Sequence, residues 1–378
     1  MPSLGDGSRL LHMERPAISV IVIAHQRAQF LREAVDSAIQ QTLPRNAFEV
    51  IVVKDFQVPE LDRYLDRLSA RRVESPPTLT AGAMFCAGIE QATGDILCFL
   101  DDDDRFLPTK LSTIVELFNS RPDVGYIRCR PRFVNSTGSP LARQWIHRHE
   151  GHEKLVELHT ASEFSRAHVQ CEIGFNNSSI SIRRQTLAPW LREFSRVRVN
   201  CDNFLLLVSL LSHTGILCTD RVLNDFRIHE AGSSGEFTGG TQSDFYAGRR
   251  SYFGKALEDA EFFLEMVRGS VAEPTIEYFR DYCRSLYEIA DSRPHRQVVG
   301  RLLLGMLVNP HQRAMYSGRL PSTVSMAAVL LAYLASPQGA TWAYYHAKKM
   351  TSLHSVKTGP TRQTTSPAAV ASSDSPRP

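Results

Sequence analysis

The chain has seven cysteines, Cys86, Cys98, Cys129, Cys171, Cys201, Cys218 and Cys283, but no C-x-x-C pair. Neither a zinc knuckle nor a disulfide framework is therefore indicated, and reduced thiols in a cytoplasmic protein fit best. No G-x-G-x-x-G follows the first strand-like run, which excludes a dinucleotide oxidoreductase. Long Lys/Arg blocks are missing and the net charge is only +3, so a dedicated nucleic-acid binder is excluded as well. Met1 to Arg15 lacks the apolar core of a signal peptide, and the expected location is cytoplasmic. Val324 to Ala335 is twelve residues long, well under the roughly twenty that cross a bilayer as a helix. Two readings of that segment stay open: a buried core helix, or an interfacial helix flanked by Arg319, Lys348 and Lys349 that makes peripheral contact with the inner face of the membrane. No internal repeat is present.

What is present is a regular alternation. The 378 residues, 43% of them hydrophobic, allow one large domain or two smaller ones. Ile18 to Ala24 is an almost unbroken β-branched run, the mark of a strand covered on both faces. From Phe30 to Gln41 apolar residues recur at three and four, giving one helical face before Pro44. Glu49 to Val53 reads as the second strand, and the three together make a βαβ unit. Helices are expected at Leu61 to Leu68, Ala81 to Ala92 and Pro108 to Asn119, and strands at Ile96 to Leu100, Gly125 to Phe133 and Phe175 to Ile182. Asp202 to Ser212 reads as an apolar helix, and Gly215 to Ile228 as one or two short strands. Thr137 to His159 is polar and rich in His and Arg, suiting a loop that orders around substrate. From about Thr241 the pattern turns helical. The division expected is a flexible extension over 1–15, a domain over 16–235, a helical region over 236–350 and a disordered tail over 351–378.

Four consecutive aspartates, Asp101 to Asp104, follow directly on the apolar run Ile96 to Leu100. Carboxylates this close repel one another, and one or more is pushed to protonate unless a divalent cation or a hydrogen-bonded ligand offsets the field. In open α/β sheets ligands bind outside the carboxyl ends of strands, where this cluster falls. A solvated acidic turn is the plainer reading of the same residues.

Taken in order, P-A-I-S-V-I-V-I-A-H-Q-R at Pro16 to Arg27, V-V-K-D at Val52 to Asp55 and G-D-I-L-C-F-L-D-D-D-D at Gly94 to Asp104 resemble a family 2 glycosyltransferase of the GT-A fold. The likeness continues through Asn177-Ser178-Ser179, the C-D-N-F-L-L-L segment at Cys201 and R-I-H at Arg227 to His229. It implies an α/β architecture, a Rossmann-like mixed sheet flanked by helices with a helical C-terminal region. It also implies a metal-dependent, inverting transfer of a sugar from a nucleoside-diphosphate donor, UDP-linked by expectation, to a hydroxyl on a glycan or lipid-linked acceptor in polysaccharide or glycoconjugate assembly.

The resemblance assigns roles residue by residue. Asp103 is the expected ligand of Mn²⁺ or Mg²⁺, with Asp101 facing the ribose or the metal's water shell and Asp102 and Asp104 next in line. His229 matches a histidine that reaches the metal or diphosphate from a loop containing Gly232 and Gly235. Asp55 matches an aspartate that accepts from the N–H of the base, and Ala24, His25 and Arg27 form the turn that holds base and phosphate. Asp202 matches the general base that takes the acceptor's proton, although an acid there is also a favourable helix cap. Lys54, Phe56 and Gln57 depart from the family's usual acid, Gly and Ser, and Lys54 supports the alternative of a nucleotide-sugar-binding module without turnover. A nucleotidyltransferase would need a glycine-rich phosphate loop, whereas the turn here is Ala24-His25-Gln26-Arg27.

Overall fold

The computed structural model describes residues 16–141, 153–170, 172–229 and 241–290. The expected extension over 1–15, residues 142–152 of the polar 137–159 segment, the loop carrying Gly232 and Gly235, the 324–335 run and the tail lie outside these residues.

The first half alternates as expected: β1 (Ile18–Ala24), α1 (Leu31–Ile39), β2 (Phe48–Lys54), α2 (Pro59–Arg67), β3 (Arg71–Glu74), α3 (Ala81–Gln91) and β4 (Ile96–Asp101). There follow β5 (Arg105–Phe106), α4 (Lys110–Ser120), β6 (Val124–Val134), β7 (Glu153–Leu155) and α5 (Ala161–Gln170). The remainder is β8 (Ile180–Arg183), the one-turn helices α6 (Arg184–Leu187) and α7 (Leu191–Phe194), then α8 (Cys201–Leu211), β9 (Gly215–Arg227), α9 (Gln242–Met266) and α10 (Glu273–Ala290). Among the described residues the strands form one nine-stranded mixed sheet in the order β3-β2-β1-β4-β8-β6-β9-β5, with β7 paired to β9. β1 to β4 run parallel, β8 is antiparallel to both β4 and β6, and β9 is parallel to β6.

Both faces are covered, which is why β1 reads as a continuous apolar run. Ile21 and Ile23 enter one core with α3 and α8, while Ile18, Val20, Val22 and Ala24 enter the other with α1 and α4. Each fully buried side chain of this size contributes on the order of 1.5–3 kcal/mol. α3 lies close against the sheet because Gly88 faces it: a Cβ there would stand 2.5 Å from Ile21 Cγ2. Thr80 caps the same helix, its hydroxyl oxygen accepting from Ala83 N–H at 3.0 Å.

The register decides where chemistry can occur. Ala24 stands opposite Lys54, and Ile23 opposite Asp101. The turns after β1, β2 and β4 therefore emerge side by side at one edge, which brings His25, Asp55 and the aspartates together.

Two expectations are corrected. Phe175 to Ile182 is not one strand: a loop and a 3-10 turn at Asn177–Ser179 precede a strand that starts at Ile180. Asn176 adopts φ 66° there, which breaks extended backbone, and its side chain turns inward. Gly215 to Ile228, expected as one or two short strands, is a single long strand of thirteen residues, with register irregularities along its pairing to β6.

α9 and α10 form the helical C-terminal part of the described chain. Phe263 of α9 meets Phe204 of α8 at 6.1 Å between ring centroids, and Thr275 of α10 hydrogen-bonds Ser165 of α5 at 2.6 Å.

Candidate active site

The four aspartates occupy four different environments. Asp101 ends β4 and both its carboxylate oxygens accept from Asn177 Nδ2, at 3.2 and 3.3 Å, while its own N–H donates to Ser178 Oγ at 3.1 Å. Asp102 accepts from Arg27 Nε at 2.9 Å and Nη2 at 2.5 Å. Asp103 accepts from the same Nη2 at 2.5 Å and lies 3.0 Å from His229 Nε2. Asp104 is buried, accepting from Arg227 N–H at 2.9 Å and Asn176 Nδ2 at 2.8 Å. They are not a solvated acidic turn.

Burial and mutual repulsion shape their titration. Burial, then the charges of Asp104 and Asp103, hold Asp101 well above the ordinary carboxylate range. Burial pushes Asp102 up to about 6 against the pull of Arg27, and burial with the Asp103 charge pushes Asp104 to about 7. Asp103 alone goes down: burial works to raise it, but the His229 hydrogen bond and the Arg27 charge prevail. The field thus concentrates negative charge on Asp103.

Arg27 therefore lies on the aspartates in this structure. It reaches them because Gln26 takes φ 53° and its N–H is held by Asp55 Oδ1 at 2.7 Å. The Asp55 side chain is covered, and its Oδ2 lies 2.5 Å from Nδ1 of half-exposed His25. The carboxylate expected to read the base here clamps the turn after β1. Ala24 is the last, fully buried residue of β1. Lys54 is buried beneath, its ammonium donating to Phe56 O at 2.6 Å and pairing with Asp62 at 3.0 Å and Glu74 at 2.9 Å. Where the resemblance leads one to expect an acid, Lys54 thus forms a buried ion pair with Asp62 and Glu74.

Asp202 sits in the first turn of α8. Its Oδ1 accepts Asn203 N–H at 2.8 Å and its Oδ2 accepts Asn176 N–H at 2.9 Å. Burial raises it to about 6 despite these two donors. It is a carboxylate more basic than an ordinary aspartate and still largely ionised at neutral pH, as a general base requires.

Two residues escaped the sequence reading. Asn176 touches both Asp202 and Asp104. Asp259 of α9 is buried and accepts the N–H groups of Arg198 at 2.7 Å and of Val199 and Asn200 at 2.9 Å, bolting down the turn that leads into α8. The only prior signal for Asn176 was the paired asparagines in F-N-N-S-S, which interrupt strand alternation. Asp259 carried none, because a buried acid on a long polar helix looks like any surface acid. Arg183 and Arg184 bind carbonyls of the chain, at Val124 and Phe118 and at Gly94 respectively, away from the aspartates.

A divalent cation fits the donor set by its chemistry. Among the described residues no group of three or more His, Cys, Asp or Glu is arranged to hold a metal. Asp103 and His229 nevertheless present an oxygen and a nitrogen together, and Mg²⁺-type sites commonly rest on one or two carboxylates completed by substrate phosphates. No helix among the described residues is long and apolar enough to cross a membrane.

Residues 19–182 match the family model described as glycosyl transferase family 2. An uncharacterised glycosyltransferase of Nostoc sp. is 34% identical over 116 residues, 29% of this chain and 34% of that protein. Chondroitin synthase of Pasteurella multocida is 24% identical over 220 residues, 56% of this chain and 21% of that protein. The chain thus spans about a third and about a fifth of the lengths of these relatives. Among solved structures, the mannosyltransferase of Pyrobaculum calidifontis with GDP-Man and Mn²⁺ aligns at a TM-score of 0.48 and 14% identity, over 92% of each chain. Staphylococcus aureus TarS 1–349 with UDP-GlcNAc aligns at 0.48 and 14%, over 85% of this chain and 92% of that one. Residues 19–182, similar to glycosyl transferase family 2, include the acidic strand tip and the edge where β1, β2 and β4 end together.

Proposed function

We propose that the protein is an inverting, metal-dependent glycosyltransferase that moves a sugar from a nucleoside-diphosphate donor to a hydroxyl acceptor. The observation that carries this reading is the joining of two chemistries at one sheet edge. A charge-concentrating acidic tip stands at Asp101 to Asp104, and a basic carboxylate, Asp202, is tied to it through Asn176.

Asp103 and His229 would hold Mn²⁺ or Mg²⁺, and the ion when bound offsets the charge that develops on a leaving diphosphate. Arg27 is the other cation in reach and can pass from the aspartates to a phosphate oxygen. Asp202 takes the acceptor's hydroxyl proton as the oxygen forms its bond to the anomeric carbon. The bond from that carbon to the phosphate oxygen breaks, and the nucleoside diphosphate leaves with the electron pair. A single displacement of this kind inverts the anomeric centre. His25, Ala24 and Asp55 line the turn against which the base would lie, with the exposed His25 ring available for stacking. A uracil-type base presents an N–H that Asp55 can accept only by competing with Gln26 and His25.

Polysaccharide or glycoconjugate assembly is the setting suggested by the relatives named chondroitin synthase and hyaluronan synthase. A nucleotide-sugar-binding module without turnover is the competing reading on the same residues. A thermal-shift screen of nucleoside diphosphates and nucleotide sugars, with and without Mn²⁺, tests the donor site. Stabilisation by one nucleotide that needs the metal and disappears in Asp103→Ala is expected. Stabilisation that is the same in that variant would overturn the metal role.

A further inference from the structure

We propose that Asn176 is a positioning residue that holds the base Asp202 and the acidic strand tip as one unit, so that the two halves of the site keep a fixed separation. The inference rests on the glycosyltransferase reading for its catalytic consequence and on geometry for its structure.

Every polar group of the Asn176 side chain is used. Nδ2 donates to Asp104 Oδ2 at 2.8 Å, and Oδ1 accepts from Ser179 Oγ at 3.0 Å and from Asn224 Nδ2 at 3.3 Å. The backbone N–H points the other way, to Asp202 Oδ2 at 2.9 Å. The residue is 5% exposed, so none of these bonds competes with bulk water and losing one leaves a buried group unpaired.

Its backbone makes the arrangement specific. At φ 66° and ψ 114° most side chains are strained by on the order of 1–3 kcal/mol, and asparagine is among the residues that enter positive φ most readily. Glycine would relieve the strain but supply no amide. Aspartate would place another carboxylate against Asp104, where repulsion opposes it. The neighbours extend the tie. Asn177 and Ser178 bond Asp101, and Lys110 Nζ donates to Ser178 O at 3.3 Å, so one short segment grips both ends of the aspartate run. A displacement of that segment would move the base and the aspartates together, and an error of about 1 Å in such a constellation can cost on the order of a hundredfold in rate.

Asn176→Gly is the discriminating variant, because it preserves the backbone φ and the N–H while deleting the amide. Asp202 is followed by carboxyl-carbon NMR titration, its signal assigned by its absence in Asp202→Asn. The other ionisable groups whose charges reach it are Asp259 and Tyr252 of α9, Tyr126 of β6 and the adjoining Cys201, and none of them is altered. With the anchor gone the N–H drifts from Asp202, and its midpoint is expected to rise by half a unit or more. Donor hydrolysis, measured in parallel, is expected to fall at least tenfold in kcat with less than threefold change in KM. If Asn176→Gly does not fold, Ser179→Ala, which removes one bond to Asn176 Oδ1, is titrated instead, with a smaller rise expected. An Asp202 midpoint unchanged in the folded variant overturns the proposal. The NMR shift in Asn176→Gly together with no turnover by wild type refutes the transferase reading and leaves the coupling standing.

Discussion

His229 Nε2 lies 3.0 Å from Asp103 Oδ2, and its ring meets Phe30 edge-on with centroids 4.9 Å apart. The imidazole is thus held on the one member of the Asp101 to Asp104 run whose carboxyl is pushed down. That pairing joins the end of β9 to the tip of β4, two parts of the chain that sequence separates widely.

If this pair holds the metal, His229→Ala and Asp103→Ala should each weaken Mn²⁺-dependent binding of a nucleoside diphosphate on the order of tenfold or more, leaving weak metal-free binding unchanged. Calorimetric titration with and without Mn²⁺ measures both quantities. Equal affinity of His229→Ala and wild type in Mn²⁺ would remove His229 from the site.

Arg27 should matter to stability in a pH-dependent way. Asp101, Asp102 and Asp104 all titrate above 3.8 in the folded chain, Asp102 at about 6 and Asp104 at about 7. The native state therefore holds more protons than the unfolded one, and this contribution is complete below about pH 4 and lost as pH rises through 6 to 7. Above that range Asp102 and Asp104 join Asp103 in carrying charge beside Arg27. Arg27→Met should cost about 3 kcal/mol at pH 8, the order found on breaking a buried pair, and clearly less at pH 5. Urea unfolding at the two pH values checks it, and equal losses would contradict it.

The rate should follow Asp202. With its carboxyl raised to about 6, kcat should climb as pH rises through 6 and level off above 7, because the ionised form accepts the proton. A limb near pH 4, where ordinary aspartates titrate, would mean that burial does not tune this group.

Asp259→Ala should reveal how far α9 supports the base. Three backbone N–H groups ahead of α8 would be left without their acceptor, each costing about 1–3 kcal/mol if it stays buried. A loss of about 3 kcal/mol in stability is expected, together with a fall in kcat larger than any change in donor affinity. Unchanged kcat in the folded variant would make Asp259 purely structural.

The parts of this fold that were legible in the sequence are those where burial leaves a pattern. β1, β2 and β4 are apolar on both faces, and α1, α3 and α4 show a striped face, so their positions could be read within a residue or two. β3 and β5 could not, because Arg71–Glu74 and Arg105–Phe106 are short, polar and held by the sheet edge rather than by their own composition. In the site, the run of four aspartates announced itself, but not that each would find a different partner. The contacts of Asn176 and Asp259 arise from tertiary folding alone, the first from a positive φ and the second from a helix late in the chain.

The most direct measurement of the central claim is the turnover of a nucleotide sugar by wild type, Asp103→Ala and Asp202→Asn in Mn²⁺, read as released nucleoside diphosphate. Wild type should turn over. Asp202→Asn should bind the donor as tightly but be at least a hundredfold slower, and Asp103→Ala should lose both binding and rate. Turnover in Asp202→Asn equal to wild type would contradict the account.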